Sequence, residues 1–180
     1  MSETPALSIY EKAFSQTDKT DAILVVEGKK LHVNKALLSC LSDYFDTLFN
    51  SNFKEKSMSE IEIKDVEFED FATLLSLIMP EALPLEIEKC EKLLELSDRF
   101  LLPVAKRHVA LFIAQSDMDK EEKLIIGDKF DAEFLVEHAL SRYRDKMDYM
   151  TMSVIGENFS QKTKVAIFDD FFFHFGKDLL

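Results

Sequence analysis

Glycine and proline are scarce in this chain, with four of each among 180 residues. The glycines are scattered, which excludes the glycine-rich loops that cradle phosphates and the nucleotide chemistry built on them. Cysteine is rarer still: only Cys40 and Cys90 occur, with neither Cys-x-x-Cys nor Cys/His ligand spacing. Both fall in apolar helical patterns and are expected as buried free thiols, in keeping with a reducing compartment. Long apolar runs are missing. The longest, such as Phe100 to Ala105, are far too short to cross a bilayer. Basic clusters are missing as well, since Lys29-Lys30 and Lys106-Arg107 are the only adjacent basic pairs. The opening Met-Ser-Glu-Thr-Pro has no basic stretch and no apolar core, so no signal peptide is expected there.

What remains is a chain that is 47% hydrophobic, enough to build a packed core. Its length fits one domain, or one domain with a small helical extension. Acidic residues outnumber basic ones 34 to 22, for a net charge of -12. A surface this negative repels phosphate backbones, which argues against direct nucleic-acid binding. An intracellular protein, cytoplasmic or nuclear, is expected, with no membrane contact.

Hydropathy along the chain sets out the elements. Leu7 to Phe14 is a short amphipathic segment, too short to hold a helix alone. Ile23 to Val26 is the uninterrupted apolar run of a strand covered on both faces. Glu27-Gly28-Lys29-Lys30 signals a tight turn with Gly28 at positive φ, and Leu31-His32-Val33 returns as a second strand. Asn34 is a helix cap, and Leu37, Leu38, Leu41, Phe45, Leu48 and Phe49 follow on one helical face. Ser42 interrupts that face and is expected to cap a second helix. Residues 51–60 are polar and without period, hence a loop; Ile61 to Lys64 alternates as a third strand. Helical spacing resumes from Phe68 to Met79, and Pro80 and Pro84 stop it. Leu93, Leu94, Leu96, Phe100 and Leu101 are read as one helix, and Pro103 starts the next. Further short helices are expected at about 119–127, 131–139, 141–149 and 160–170.

The order of these elements resembles the BTB/POZ domain over roughly residues 20–115. The resemblance rests on Asp21-Ala22-Ile23-Leu24, on Lys35-Ala36-Leu37-Leu38 and Ser42-Asp43-Tyr44-Phe45, and on Ile61 to Val66. Leu93 to Phe100 and Lys106-Arg107-His108 look like the last two helices of that fold. The wording is most similar to nematode proteins that pair a MATH domain with a BTB domain. The fold implied is α+β: a small three-stranded sheet surrounded by short helices. Residues 1–19 form an N-terminal segment, and residues 116–180 resemble the BACK-like or three-box helical extension. Many family members carry a His where this chain has Asn34, so a role needing a titrating His would be lost here.

The function implied is non-catalytic protein binding. In relatives that recruit cullin-3, a hydrophobic-x-Glu triplet in the loop before the third strand contacts the cullin. Phe53-Lys54-Glu55 stands at that place, with Tyr44, Asp46 and Asn50 as neighbours on the same surface. One exposed aromatic anchor with a polar rim is the chemistry of a hot spot. The bland alternative has Phe53 in its own core. BTB domains commonly self-associate, which here points to Ile9, Tyr10, Phe14, Lys35 and Leu38 as a dimer face, unless these close the monomer core. The partners implied are the cullin-3 N-terminal domain, a second BTB chain as homodimer or heterodimer, and a substrate of unknown identity. That substrate would bind the tail or a MATH domain supplied by a partner. The competing reading is a dimerisation scaffold that binds no cullin, titrating relatives or tethering a transcriptional regulator.

The C-terminal cluster of Phe159, Val165, Ile167, Phe168 and Phe171 to Phe175 is either a last helix docked on its neighbours or an exposed partner site. Catalysis finds no footing. His32, His108, His138 and His174 are scattered, and Glu121-Glu122 and Asp169-Asp170 read as solvated doublets. No cofactor or metal is expected.

Overall fold

The computed structural model describes residues 8–50 and 60–176. The chain divides into two compact units, with the division between Val109 and Ala110.

The first unit is built on a three-stranded sheet. Strand β1 (Ala22–Val26) lies in the centre, antiparallel to β2 (Lys29–Val33) and parallel to β3 (Glu60–Glu62). The register sets Leu24 opposite Leu31 and opposite Ile61, so one row of three buried side chains crosses the sheet. The β1–β2 turn has only two residues, Glu27 and Gly28, and both take positive φ, at 50° and 76°. That pair matches the twist of the flanking strands, and glycine supplies half of it without strain. Glu27 adds a second function: its carboxylate accepts the backbone N–H of Phe68 at 3.0 Å, at the start of α4 (Phe68–Ser76).

The N-terminal helix α1 (Ile9–Ala13) has five residues, too few to persist by propensity. A capping box between Ser8 and Glu11 fastens its start. At its end Phe14 is 1% exposed, and the Phe14 carbonyl accepts the His32 N–H at 3.1 Å. The break expected at Ser42 separates α2 (Lys35–Leu41) from α3 (Asp43–Asn50). Leu38, Phe45 and Phe49 are buried, whereas Leu37, about 100° round the helix from Leu38, is 40% exposed.

Helices α5 (Cys90–Arg99) and α6 (Pro103–Gln115) follow. Leu101 does not continue α5 as expected. It sits at φ 49° just past the helix, while the Leu102 N–H bonds to Ser97 O at 2.8 Å and the Leu101 N–H to Asp98 O at 3.2 Å. This is a Schellman ending with leucine where glycine is usual.

The second unit is helical: the end of α6, then α7 (Lys120–Lys129), α8 (Glu133–Leu140), α9 (Lys146–Ile155) and α10 (Gln161–Phe175). Each of the last four begins or ends later than expected, α9 by several residues, because Asp145 and Asp148 form a capping box that postpones its start. Asp119 and Ser160 cap α7 and α10. The α7–α8 turn repeats the ending of α5, with Asp131 at φ 46° and the Ala132 N–H on Gly127 O at 2.8 Å. Buried Lys123 donates to Ala114 O and Ser116 O, at 3.0 and 2.7 Å, and so satisfies carbonyls left open at the end of α6. The core gathers Leu124, Ala139, Leu140, Tyr143, Met152 and Phe159, with Phe171 and Phe175 of α10 against it.

Gly127 is where α7 meets α8. A Cβ there would stand 2.8 Å from Val136 Cγ2 and 3.0 Å from the Val136 backbone nitrogen. Gly127→Ala is therefore expected to destabilise the second unit by about 1–3 kcal/mol, the range of an overpacked core. Chemical denaturation followed by far-ultraviolet circular dichroism measures the loss, and an unchanged midpoint would refute it.

Candidate interaction surfaces

The α2–α3 corner is a built joint. Asn34 caps α2, its side-chain oxygen accepting the Leu37 N–H at 2.8 Å while its amide donates to Lys19 O at 2.7 Å. Asp21 accepts the Lys35 N–H at 2.8 Å, so the strand entry holds the same helix start. The cap expected at Asn34 is present, and an amide does here what only one protonation state of a histidine could do. Eight residues after Asn34, Ser42 breaks the helix. Its hydroxyl accepts the Phe45 N–H at 3.1 Å and donates to Phe100 O at 2.7 Å, in a position only 3% exposed.

That joint fixes the rings of α3. Tyr44 stands edge-on to Phe45 and to Phe100, with centroids 5.2 and 5.0 Å away, and Phe45 stacks on Phe100. Beside them Arg99 lies over Phe100 and donates to the carbonyls of Asp65 and Lys64 at 2.7 and 2.8 Å. Outward from the rings, Asp46 accepts from the Asn50 amide at 2.7 Å, four residues on. Both are exposed, and Asp43 and Asp46 add negative charge at the helix start, where the macrodipole favours it. Tyr44, Asp46 and Asn50 thus lie on one helix, with Tyr44 half-buried. Phe53 and Glu55 lie outside the described residues.

The residues expected at a dimer face separate into two groups. Ile9 is 51% exposed, Tyr10 and Lys35 are half-buried, and Lys35 Nζ sits 5.8 Å over the Phe49 ring. Phe14 and Leu38 are buried at 1% and 3% in their own unit, so they form the floor of a groove and not its rim. The groove has a volume of about 310 Å3 and is lined by Phe14, His32, Leu37, Leu75, Ile78 and Met79 among others. Leu37 is the apolar contact that sequence reasoning missed. The sequence held no signal for it, since the adjacent pairs Leu74-Leu75 and Leu93-Leu94 are buried at both positions.

Cysteine placement is half as expected. Cys90 is buried and Sγ donates to Glu86 O at 3.3 Å; burial, with Glu88 adding to it, pushes the thiol up to about 11. Such a thiol is a poor nucleophile. Cys40 is exposed, because it lies about 200° round α2 from the buried Leu38. Asp170 is also corrected: it is half-buried and accepts a hydrogen bond from the Tyr149 hydroxyl, so it is no solvated doublet partner. Among the described residues no three of His, Cys, Asp and Glu converge as a metal site, and no helix is long and apolar enough to cross a membrane.

Two measurements test this geometry. Ser42→Ala removes a cap and leaves the Phe100 carbonyl without its partner. A loss of about 1–2 kcal/mol in unfolding free energy is expected, and a stability equal to wild type would contradict the joint. A water-soluble thiol reagent should label Cys40 in the native protein and Cys90 only after denaturation; two equivalents reacting at one rate would show Cys90 to be open.

A family model described as BTB/POZ domain matches residues 10–117. The chain is 39% identical over 127 residues to BTB and MATH domain-containing protein 36 of Caenorhabditis elegans, covering 68% of this chain and 39% of that protein. It is 31% identical over 163 residues to BTB and MATH domain-containing protein 38 of the same nematode, covering 89% and 42%. The second match takes in so much of this chain that it must continue into the second unit. The chain spans about two fifths of the length of these curated relatives. Among solved structures it is similar to the BTB domain of human gigaxonin, with 22% identity, a TM-score of 0.46, and coverage of 62% of this chain and 99% of that one.

Proposed function

We propose that this chain, which belongs to the BTB/POZ domain family, is a dimeric adaptor that docks on the N-terminal domain of cullin-3 and links it to ubiquitin transfer. The family is one of protein-interaction domains that generally work without catalysis, and BTB domains mediate dimerisation. The observation that carries the cullin reading is the fixed presentation of α3. Ser42 and the Phe45–Phe100 stack hold the helix, and Tyr44 and the Asp46–Asn50 pair occupy its accessible side. In sequence Phe53 and Glu55 stand three and five residues after Asn50, an aromatic and a carboxylate of the kind a hot spot needs. An aromatic seated in a partner pocket with a polar rim is worth ~2 kcal/mol or more on truncation.

Self-association is supported by the exposed Ile9 and Leu37 and by the apolar groove floored by Phe14 and Leu38. A two-fold pair would set two cullin-docking edges in one assembly and raise the effective concentration of ligase around a bound substrate. Substrate choice falls to the helical second unit, or to a MATH-bearing relative joined as a heterodimer.

Binding of the purified protein to the cullin-3 N-terminal domain tests the reading. Affinity of about micromolar or tighter is expected, weakened at least tenfold, about 1.4 kcal/mol, by Phe53→Ala with Glu55→Ala. A folded wild-type protein that shows no binding would overturn the cullin reading and leave the dimerisation scaffold.

A further inference from the structure

Helix α10 carries more apolar surface than its own unit covers. On a 3.6-residue repeat, Ala166, Ile167, Phe171 and Phe175 turn toward the core of the second unit and pack on it. Val165, Phe168 and Phe172 lie beside that inner face and remain 48%, 59% and 47% exposed. Their spacing, i, i+3, i+7, is that of a coiled-coil seam. The Phe168 and Phe172 rings stand 4.5 Å apart, which makes the seam a continuous ridge. Phe173, more exposed still, lies off it.

The charges flanking the ridge indicate what covers it. Lys164 precedes Val165 and Asp169 follows Phe168, and both are exposed. With Val165 and Phe172 as a positions and Phe168 as d, Lys164 is g and Asp169 is e, on opposite sides of the seam. Lys164 Nζ donates to Glu157 O at 2.8 Å, which uses one of its three donors. If two copies of α10 met antiparallel, Lys164 would face Lys164 and Asp169 would face Asp169, because Lys162, the other e residue, is held by Asp131 and Glu133 of its own unit. In parallel, each Lys164 faces the other copy's Asp169, and two-fold symmetry makes the pair twice. We infer that this ridge is a self-association surface on which a second copy of this chain lays its own α10, parallel, about a two-fold axis. The contact belongs to the second unit and does not rest on the cullin reading.

Two-fold parallel packing sets each seam residue against its own counterpart, and site-specific cross-linking of the full chain reads this out. In a Cys40→Ser background, Val165→Cys and Phe172→Cys are each expected to give disulfide-linked dimers on mild oxidation. Phe168→Asp should slow the cross-linking at least about tenfold, as should Lys164→Glu or Asp169→Lys alone, by placing like charges together. Mixing the two charge variants restores both opposite-charge pairs and should restore the rate. Both cysteine positions are exposed, and circular dichroism verifies the fold of each variant. The inference is overturned by folded protein that cross-links at neither position. Cross-linking that appears only when Val165→Cys is mixed with Phe172→Cys, the sign of antiparallel packing, overturns it as well. Rates indifferent to Phe168→Asp or to both charge changes do the same, because they report random collision.

Discussion

The hydroxyl of Ser42 ends one helix and begins another, and the first unit is arranged around that break. A serine in the middle of an apolar helical stretch competes for backbone partners. Here it wins, because its oxygen takes the Phe45 N–H and its proton goes to a buried carbonyl at the far end of α5. The residue is extended, at φ -152° and ψ 118°, so α3 leaves in a new direction. That direction lets Phe45 stack on Phe100 and Tyr44 meet both rings. The same Phe100 is where α5 stops, and Arg99 beside it reaches the carbonyls of Lys64 and Asp65. One hydroxyl thus joins the helical corner, the exit from the sheet and the end of a core helix.

A second constraint recurs in both units. The turns after α5 and after α7 share one construction: a buried phenylalanine as the C-cap, a non-glycine residue in the left-handed region, then a buried apolar residue. Phe100, Leu101 and Leu102 make the first, and Phe130, Asp131 and Ala132 the second. A left-handed leucine costs about 1–2 kcal/mol, which burial of the phenylalanine on one side and the next residue on the other offsets. Helix ends held this way need no glycine, which explains how a chain with four glycines turns so often.

The distribution of uncovered apolar surface separates two kinds of binding. On the first unit it is a groove lined by Leu37, Ile78 and Met79, with Ile9 exposed on α1. On the second unit it is a ridge along a single helix, with Lys164 on one flank and Asp169 on the other.

The sequence by itself determined the elements. The apolar run at Ile23 to Val26, the Glu27-Gly28 turn, the caps Asn34 and Ser42, and Pro103 each carry a local signal, such as a side chain that accepts the N–H three residues on, so they are legible in the chain. The α+β class and the family followed from their order. Tertiary structure decided which face of each element was used. Leu37 is exposed and Leu38 buried, Cys40 open and Cys90 closed, Phe14 in the core and Ile9 outside it. Periodicity places such residues on a helix, yet the choice between neighbours depends on what packs from distant parts of the chain. The same holds for Asp170, whose partner Tyr149 stands on another helix, and for Gly127, whose value is the 2.8 Å that a Cβ would need. Local rules wrote the helices and strands, and long-range packing assigned their sides.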